Sequence, residues 1–266
     1  MSTPRDAPPV VELRGAAKVY ANGTRALRPV TLAVAAGEFV TLLGPSGCGK
    51  TTLLQLIAGL VAPSEGTISL WGSSHDASGE RGRRLGYVFQ APTLMPWARV
   101  ASNVRLPLDL GGTPRGEGDE AAANALARVG LHGVDRHFPR ELSGGMQMRV
   151  SISRALVTDP DLLLMDEPFG ALDEFTRQKL DADLLAWWIE RKLTVVFVTH
   201  SIQEAVFLST RVLVMAARPG RLIADVAIPE RHPRRAEFRG TAGYAAQCLA
   251  LSELVAQASS PVAADG

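Results

Sequence analysis

Short apolar runs bounded by turn-forming residues alternate along this chain with segments whose apolar positions recur at helical spacing, the pattern of strands interleaved with helices. Strands are expected at 10–13, 38–43, 67–70, 85–89, 162–165, 194–198, 212–215 and 222–226, with further strand after a turn at Ala21-Asn22-Gly23. The 38–43 run leads into a glycine-rich loop, after which a helix opening at Lys50 carries Leu53, Leu54, Ile57 and Leu60 on one face. Another helix is expected behind Ser143, which is placed to cap it, with Val150, Ile152 and Leu156 following. Between 91 and 142 the pattern changes to helical pieces broken by Gly111-Gly112-Thr113-Pro114 and by Gly116 and Gly118. The expected fold is α/β: a single domain over 10–257 with a helical subdomain inserted at about 91–156 and small polar tails at 1–9 and 258–266.

Composition narrows the function. Apolar residues make up 46% of the 266, enough to bury strands under helices, and a formal charge of +1 leaves no general attraction to nucleic acid. No apolar run is long enough to cross a bilayer, and the charged start is not followed by an apolar leader core, so a cytosolic protein is expected. Cys48 and Cys248 are too few for a disulfide framework and lack metal-ligand spacing, so both are expected to be reduced thiols.

The loop Gly44-Pro45-Ser46-Gly47-Cys48-Gly49-Lys50-Thr51 fills every position of the P-loop pattern, between a strand and a helix where that pattern has meaning. Its glycines let backbone N–H groups close on phosphates, Lys50 adds a mobile charge, and the Thr51 hydroxyl is placed for Mg²⁺. Four apolar residues, Leu162-Leu163-Leu164-Met165, deliver Asp166 to a strand end, where it would hold the metal, and Glu167 follows as the group to polarise an attacking water. Ser143-Gly144-Gly145-Met146-Gln147 lies between these two motifs and leaves bare N–H groups at a helix start, suited to a γ-phosphate.

In that order the motifs resemble the ATP-binding subunit of an ABC transporter, from about Val10 to about Leu254. The resemblance implies a RecA-like P-loop NTPase core with an antiparallel β subdomain and the inserted helical subdomain. It makes 44–51 the Walker A loop, with Thr52 beside it at the nucleotide, Leu142 to Gln147 the signature, and 162–166 Walker B. Glu167 becomes the catalytic carboxylate, Gln90 the Q-loop residue reaching Mg²⁺ and water, Ala171-Leu172-Asp173 the D-loop, His200 the switch histidine, and Tyr20 the adenine-stacking aromatic. ATP and Mg²⁺ are the implied ligands. Two copies would close head to tail, each ATP lying between one P-loop and the other copy's Ser143-Gly144-Gly145, with integral-membrane permease subunits and a separate solute-binding protein as partners at the cytoplasmic face of the bacterial inner membrane.

A narrower resemblance, to importers of nitrate, sulfonates and taurine, rests on Leu94-Met95-Pro96-Trp97, on 166–173, on Glu204-Ala205-Val206-Phe207-Leu208-Ser209 and on Arg218-Pro219-Gly220. Trp97 and Leu94 would line a groove for a helix of the membrane partner. Relatives of that subfamily also serve pyrimidine precursors and aromatic acids, and an exporter motor stays open. An ABC ATPase acting on ribosomes or DNA would need a second cassette or a long coiled coil, and this sequence has neither. Ser201, Thr210 and Met148 depart from the family pattern without removing a phosphate, metal or base group. Cys48 reads as a small filler that makes the site thiol-sensitive, and Arg231, His232, Arg234 and Arg235 read as a solvated basic face, with contact to anionic lipid headgroups as the alternative.

Overall fold

Strands that carry apolar residues at both odd and even positions can only be buried on both faces, and this chain builds its central sheet from them. In the computed structural model, which describes residues 8–74, 83–170, 172–217 and 219–259, the first three strands are β1 (Val11–Val19), β2 (Arg25–Val34) and β3 (Phe39–Leu43). Helix α1 (Lys50–Ile57) follows, then β4 (Glu65–Leu70), β5 (Ser73–Ser74) and β6 (Leu85–Val88). Helices α2 (Val100–Leu110), α3 (Arg115–Arg128) and α4 (Gly144–Leu156) come next and pack on one another. The remainder is β7 (Leu162–Asp166), α5 (Glu174–Arg191), β8 (Thr194–Thr199), α6 (Ile202–Leu208), β9 (Arg211–Ala216), β10 (Arg221–Ala227) and α7 (Ala242–Ser259).

Two sheets result. The central one has the order β10-β9-β3-β8-β7-β6, parallel from β9 to β6 with β10 antiparallel at the edge. The other is the antiparallel β2-β1-β4-β5. Leu163, Met165, Val195 and Phe197 face one core, with α4, α5 and α6, while Leu162, Leu164, Val196 and Val198 face a second, with α1 and the antiparallel sheet. The parallel strands thus end together on one edge, the edge from which Leu43 enters the glycine loop and Asp166 and Thr199 lead into their own loops.

Four expectations change. Helix α1 stops at Ile57, where Gly59 turns the chain at φ 72°, so Leu60 is 56% exposed and outside the apolar face. Gly116 and Gly118 do not break a helix but lie inside α3, because a Cβ at Gly118 would sit 2.9 Å from Arg105 Cδ, and its absence lets α3 approach α2. The end of the chain is not loose from 258, since α7 runs to Ser259 and Ala258 is buried on the core. The basic cluster is not a solvated face throughout: Arg231 and Arg235 are exposed, but Arg234 is buried, and the His232 ring packs edge-on against Trp188 at 4.6 Å. The tail residues 1–7 and 260–266, together with Ala171 and Arg218, lie outside the described residues.

The departures at 148, 201 and 210 have structural places. Met148 fills the core, the Ser201 hydroxyl caps α6 by accepting from Glu204 N at 3.3 Å as a carboxylate would, and the Thr210 hydroxyl bonds both backbone groups of Phe39.

Candidate functional site

The glycine loop is held by close backbone approach. At Gly44 a Cβ would fall 2.4 Å from the carbonyl oxygen of Met215, and Gly49, the N-cap of α1, sits at φ 90°. Neither position accepts a side chain cheaply. Lys50 opens α1 with its ammonium buried, donating to Gly44 O at 2.8 Å and Pro45 O at 3.1 Å, and it lies 3.7 Å from Glu167 Oε1.

The next residue reaches the adjacent strand. Thr51 Oγ1 donates to Asp166 Oδ1 at 3.1 Å, joining the start of α1 to the end of β7. Burial pushes the Asp166 carboxyl up from its ordinary value, and the Thr51 hydrogen bond draws it back down. Glu167 follows with φ 44°, a left-handed conformation unusual for a residue with a side chain, and its N–H is tied to Val198 O at 3.0 Å. The Glu167 Oε2 lies 3.1 Å from His200 Nδ1, so the carboxylate stands between the Lys50 ammonium and the imidazole.

These groups border a cleft of about 440 Å³ lined by Ser46, Gly47, Gly49, Lys50, Thr51, Thr52, Gln90 and Glu167. That volume is within the range of small-molecule sites. Gln90, just beyond β6, is exposed to it, and Tyr20 is half-buried beside it with its hydroxyl 3.3 Å from Thr52 Oγ1. Thr24, Arg25 and Ala26 and the pair Pro219-Gly220 also line the cleft, and sequence reading gave them no role in the site. Gly220 presses so close that a Cβ would fall 2.4 Å from Cys48 O, and its N–H bonds Ala26 O at 3.1 Å. Only that contact across nearly the whole chain reveals the part these residues play.

Cys48 departs from its expectation. Its side chain is fully buried under the loop and burial pushes its thiol up, so it is shielded from reagents and poorly ionised.

The signature residues lie apart from this cleft. Ser143 caps α4 by accepting from Met146 N at 3.3 Å, Ser143 and Gly144 are exposed, and none of 143–147 lines the cleft that holds Lys50 and Glu167. Gln147 is turned inward, its amide donating to Pro139 O at 3.1 Å and Leu142 O at 3.3 Å. Asp173 caps α5, accepting from Thr176 N at 3.0 Å, and that bond holds its carboxyl below its ordinary value.

For a metal, the cleft offers the oxygens of Thr51 and Gln90, with the buried Asp166 carboxyl directly behind Thr51, hard donors few enough to leave positions for phosphate and water, as Mg²⁺ prefers. Among the described residues no group of three or more His, Cys, Asp or Glu could hold a metal by itself.

Comparison with known proteins places the chain among relatives. The family model described as ABC transporter matches residues 27–170. An uncharacterized ABC transporter ATP-binding protein of Methanocaldococcus jannaschii is 50% identical over 213 residues, 80% of this chain and 79% of that protein. The taurine import ATP-binding protein TauB of Yersinia pestis bv. Antiqua is 47% identical over 207 residues, 78% of this chain and 80% of its own length. An ATP-binding cassette solved as a dimer in a post-hydrolysis state with ADP and Pi superposes with a TM-score of 0.75 at 33% identity, covering 83% of this chain and all of that one. With a complete P-loop, an acidic strand end and a capped signature helix on a shared scaffold, the chain belongs to the family of ABC transporter ATP-binding subunits.

Proposed function

We propose that this chain works as a head-to-tail homodimer that binds ATP with Mg²⁺ in two shared sites and hydrolyses it to drive import of a small anionic solute. The observation that carries the reading is the separation of its parts. Lys50, Thr51, Gln90 and Glu167 share a cleft, whereas Ser143-Gly144-Gly145 presents its bare helix start elsewhere, so a second copy is what would supply those donors. Phe175, 89% exposed in the first turn of α5 beside Asp173, is apolar surface suited to such a contact.

Within each site Lys50 pairs with the phosphates, and Thr51, Asp166 and Gln90 hold the metal, whose charge offsets that of the phosphates. Tyr20 stacks on adenine, with Thr52 beside it. Glu167 accepts the proton of the attacking water, a contribution of about 10²–10⁴-fold. His200, hydrogen-bonded to Glu167, keeps that carboxylate aimed.

The partners are permease subunits, and Trp97, 77% exposed on the segment after Gln90, supports a docking point there. Asn103 holds that segment by donating to Met95 O and Ala98 O, each at 3.1 Å, and Arg154 holds it by donating to Thr93 O at 2.9 Å. Among the described residues no helix is long and apolar enough to cross a membrane, which fits a peripheral subunit at the cytoplasmic face. The likeness to taurine import ATP-binding proteins supports taurine or a related sulfonate as solute, and a separate solute-binding protein is the partner that would deliver it.

Two measurements test this. Glu167→Gln should bind ATP, lose hydrolysis by about 10²–10⁴-fold and elute as a dimer with ATP; wild-type turnover would remove Glu167 from the base role. Uptake of labelled taurine in cells carrying Lys50→Ala should fall to background. Unchanged uptake of taurine, alkanesulfonate and nitrate would reject the anion-import reading.

A further inference from the structure

Behind the Glu167–His200 pair lies a buried polar layer that the proposed reaction leaves without a role. Glu204 of α6 is 4% exposed, and its Oε2 accepts from the Thr199 hydroxyl at the end of β8. The same hydroxyl accepts from Ser201 N at 2.9 Å, and the Ser201 hydroxyl accepts from Glu204 N at 3.3 Å. The peptide of His200 is thereby clasped on both sides by a turn that closes on Glu204.

The other Glu204 oxygen, Oε1, faces Arg177 Nε at 3.8 Å. Arg177 rises from the first turn of α5 and donates through a second nitrogen to Leu172 O at 3.0 Å, at the turn that leads from β7 into that helix. Leu172 is itself packed on the signature, since a Cβ at Gly145 would come 2.9 Å from its Cδ2. Contacts therefore run without interruption from Gly145 through Leu172, Arg177, Glu204 and Thr199 to His200. The layer is backed by Asp181 and Arg239, joined at 2.6 Å, with the Arg239 guanidinium 4.0 Å over the Phe207 ring.

Burying this many charges costs desolvation that well-packed apolar side chains would avoid, so stability is a weak account of the layer. Direction is what it supplies: Arg177 donates to the Leu172 turn through one nitrogen, while its charge stands 3.8 Å from the carboxylate that holds the His200 turn, an ion pair without a hydrogen bond. We propose that Arg177 and Glu204 are positioning residues that lock the Leu172 turn and the His200 turn into one body, and so set the aim of Glu167 from outside the cleft. The proposal rests on Glu167 being the base that His200 orients. Neither Arg177 nor Glu204 borders the nucleotide cleft, so the bridge acts on turnover and not on ATP affinity.

The test is steady-state ATPase of the full-length chain with Mg-ATP, for Arg177→Gln, Glu204→Gln, the double variant and Arg177→Lys. Each single Gln variant should lower kcat by about tenfold with KM for ATP within about twofold, as expected when a reacting group is misaimed. The double variant should be no slower than the slower single variant, because the two act as one unit, and Arg177→Lys, which keeps the charge, should recover part of the loss. Where Arg177→Gln fails to fold, Arg177→Lys, Glu204→Gln and the double variant of those two complete the cycle. Wild-type kcat in both single variants, losses that multiply in the double variant, or a loss carried by KM each overturn the bridge. Glu167→Gln runs alongside: if it is inactive while the bridge variants turn over normally, the bridge alone fails. If Glu167→Gln itself turns over normally, the reading of the base fails and the bridge falls with it.

Discussion

Arg234 offers a sharp test of how the site is supported. Helix α6 spans only Ile202–Leu208 and has no basic residue in its last turn, so its terminal carbonyls need partners from elsewhere. Arg234 supplies them, donating to Val206 O at 2.7 Å, Phe207 O at 3.1 Å and Ser209 O at 2.9 Å, and with its second arm to Glu230 O at 2.7 Å. Its positive charge also meets the negative end of the helix dipole. Replacing it by Met keeps the bulk and orphans those four carbonyls, at about 1 kcal/mol each. That net value already contains desolvation of the guanidinium, which burial pulls down to about 10, so the loss is about 3 kcal/mol, within the usual spread of about 0.5–1.5 per bond. For a chain of this size that corresponds to a melting point lower by about 6–12 °C. Thermal denaturation followed by circular dichroism without nucleotide would read it. Arg234→Lys should rescue little, because one ammonium cannot span both sets of carbonyls. A drop below about 2 °C for Arg234→Met would refute the reasoning, since it would mean that water or rearrangement replaces the cap at almost no cost.

Three further outcomes follow from the same structure. Native protein at pH 7.5 should react with a thiol reagent at Cys48 only after denaturant opens the loop; a fast equivalent mapped to Cys48 would contradict its burial. Gly44→Ala forces a Cβ to 2.4 Å from Met215 O, and should cost about 1–3 kcal/mol of stability together with ATP affinity; normal affinity in a binding titration would show that the loop yields freely. Burial and the nearby Arg234 hold His232 down to about 4, so it stays neutral in the native state while the unfolded chain takes up a proton below its ordinary 6.5. The stability this gives is full above 6.5 and is lost as pH falls towards about 4. Asp181, pushed up to about 7 by burial, works in the opposite sense, so the effect is read as the difference between wild type and His232→Phe in urea melts at pH 4.5 and 7.5; equal differences at both pH values would reject it.

What could be read from the sequence was what depends on neighbours in the chain. The glycine loop, the acidic strand end and the Ser143 cap are local devices, in which the residues that make the geometry stand within a few positions of each other. The central strands were legible because burial on both faces leaves unbroken apolar runs. What the pattern hid depends on distant partners. Nothing near Arg234 announces that the end of a helix more than twenty residues away needs a donor, and nothing near Pro219-Gly220 announces that it closes against Cys48 and Ala26. Helix α7 escaped for another reason: its fully packed positions, Tyr244, Leu251 and Ala258, recur only every seven residues, a stripe too narrow to stand out in an alanine-rich segment.

The positive φ of Glu167 places the proposed base at a position where the backbone would rather have another residue. Left-handed conformation costs least for Gly, then Asn and Asp, so variants with those residues should hold this turn with less strain than the wild type while lacking a carboxylate of the same reach. On the proposed role of Glu167, a search of random variants for thermal robustness alone would therefore drift toward an inert protein at position 167, trading the motor for the scaffold. Any programme to harden this subunit should score turnover at every round, because here the fittest fold and the working enzyme point to different residues.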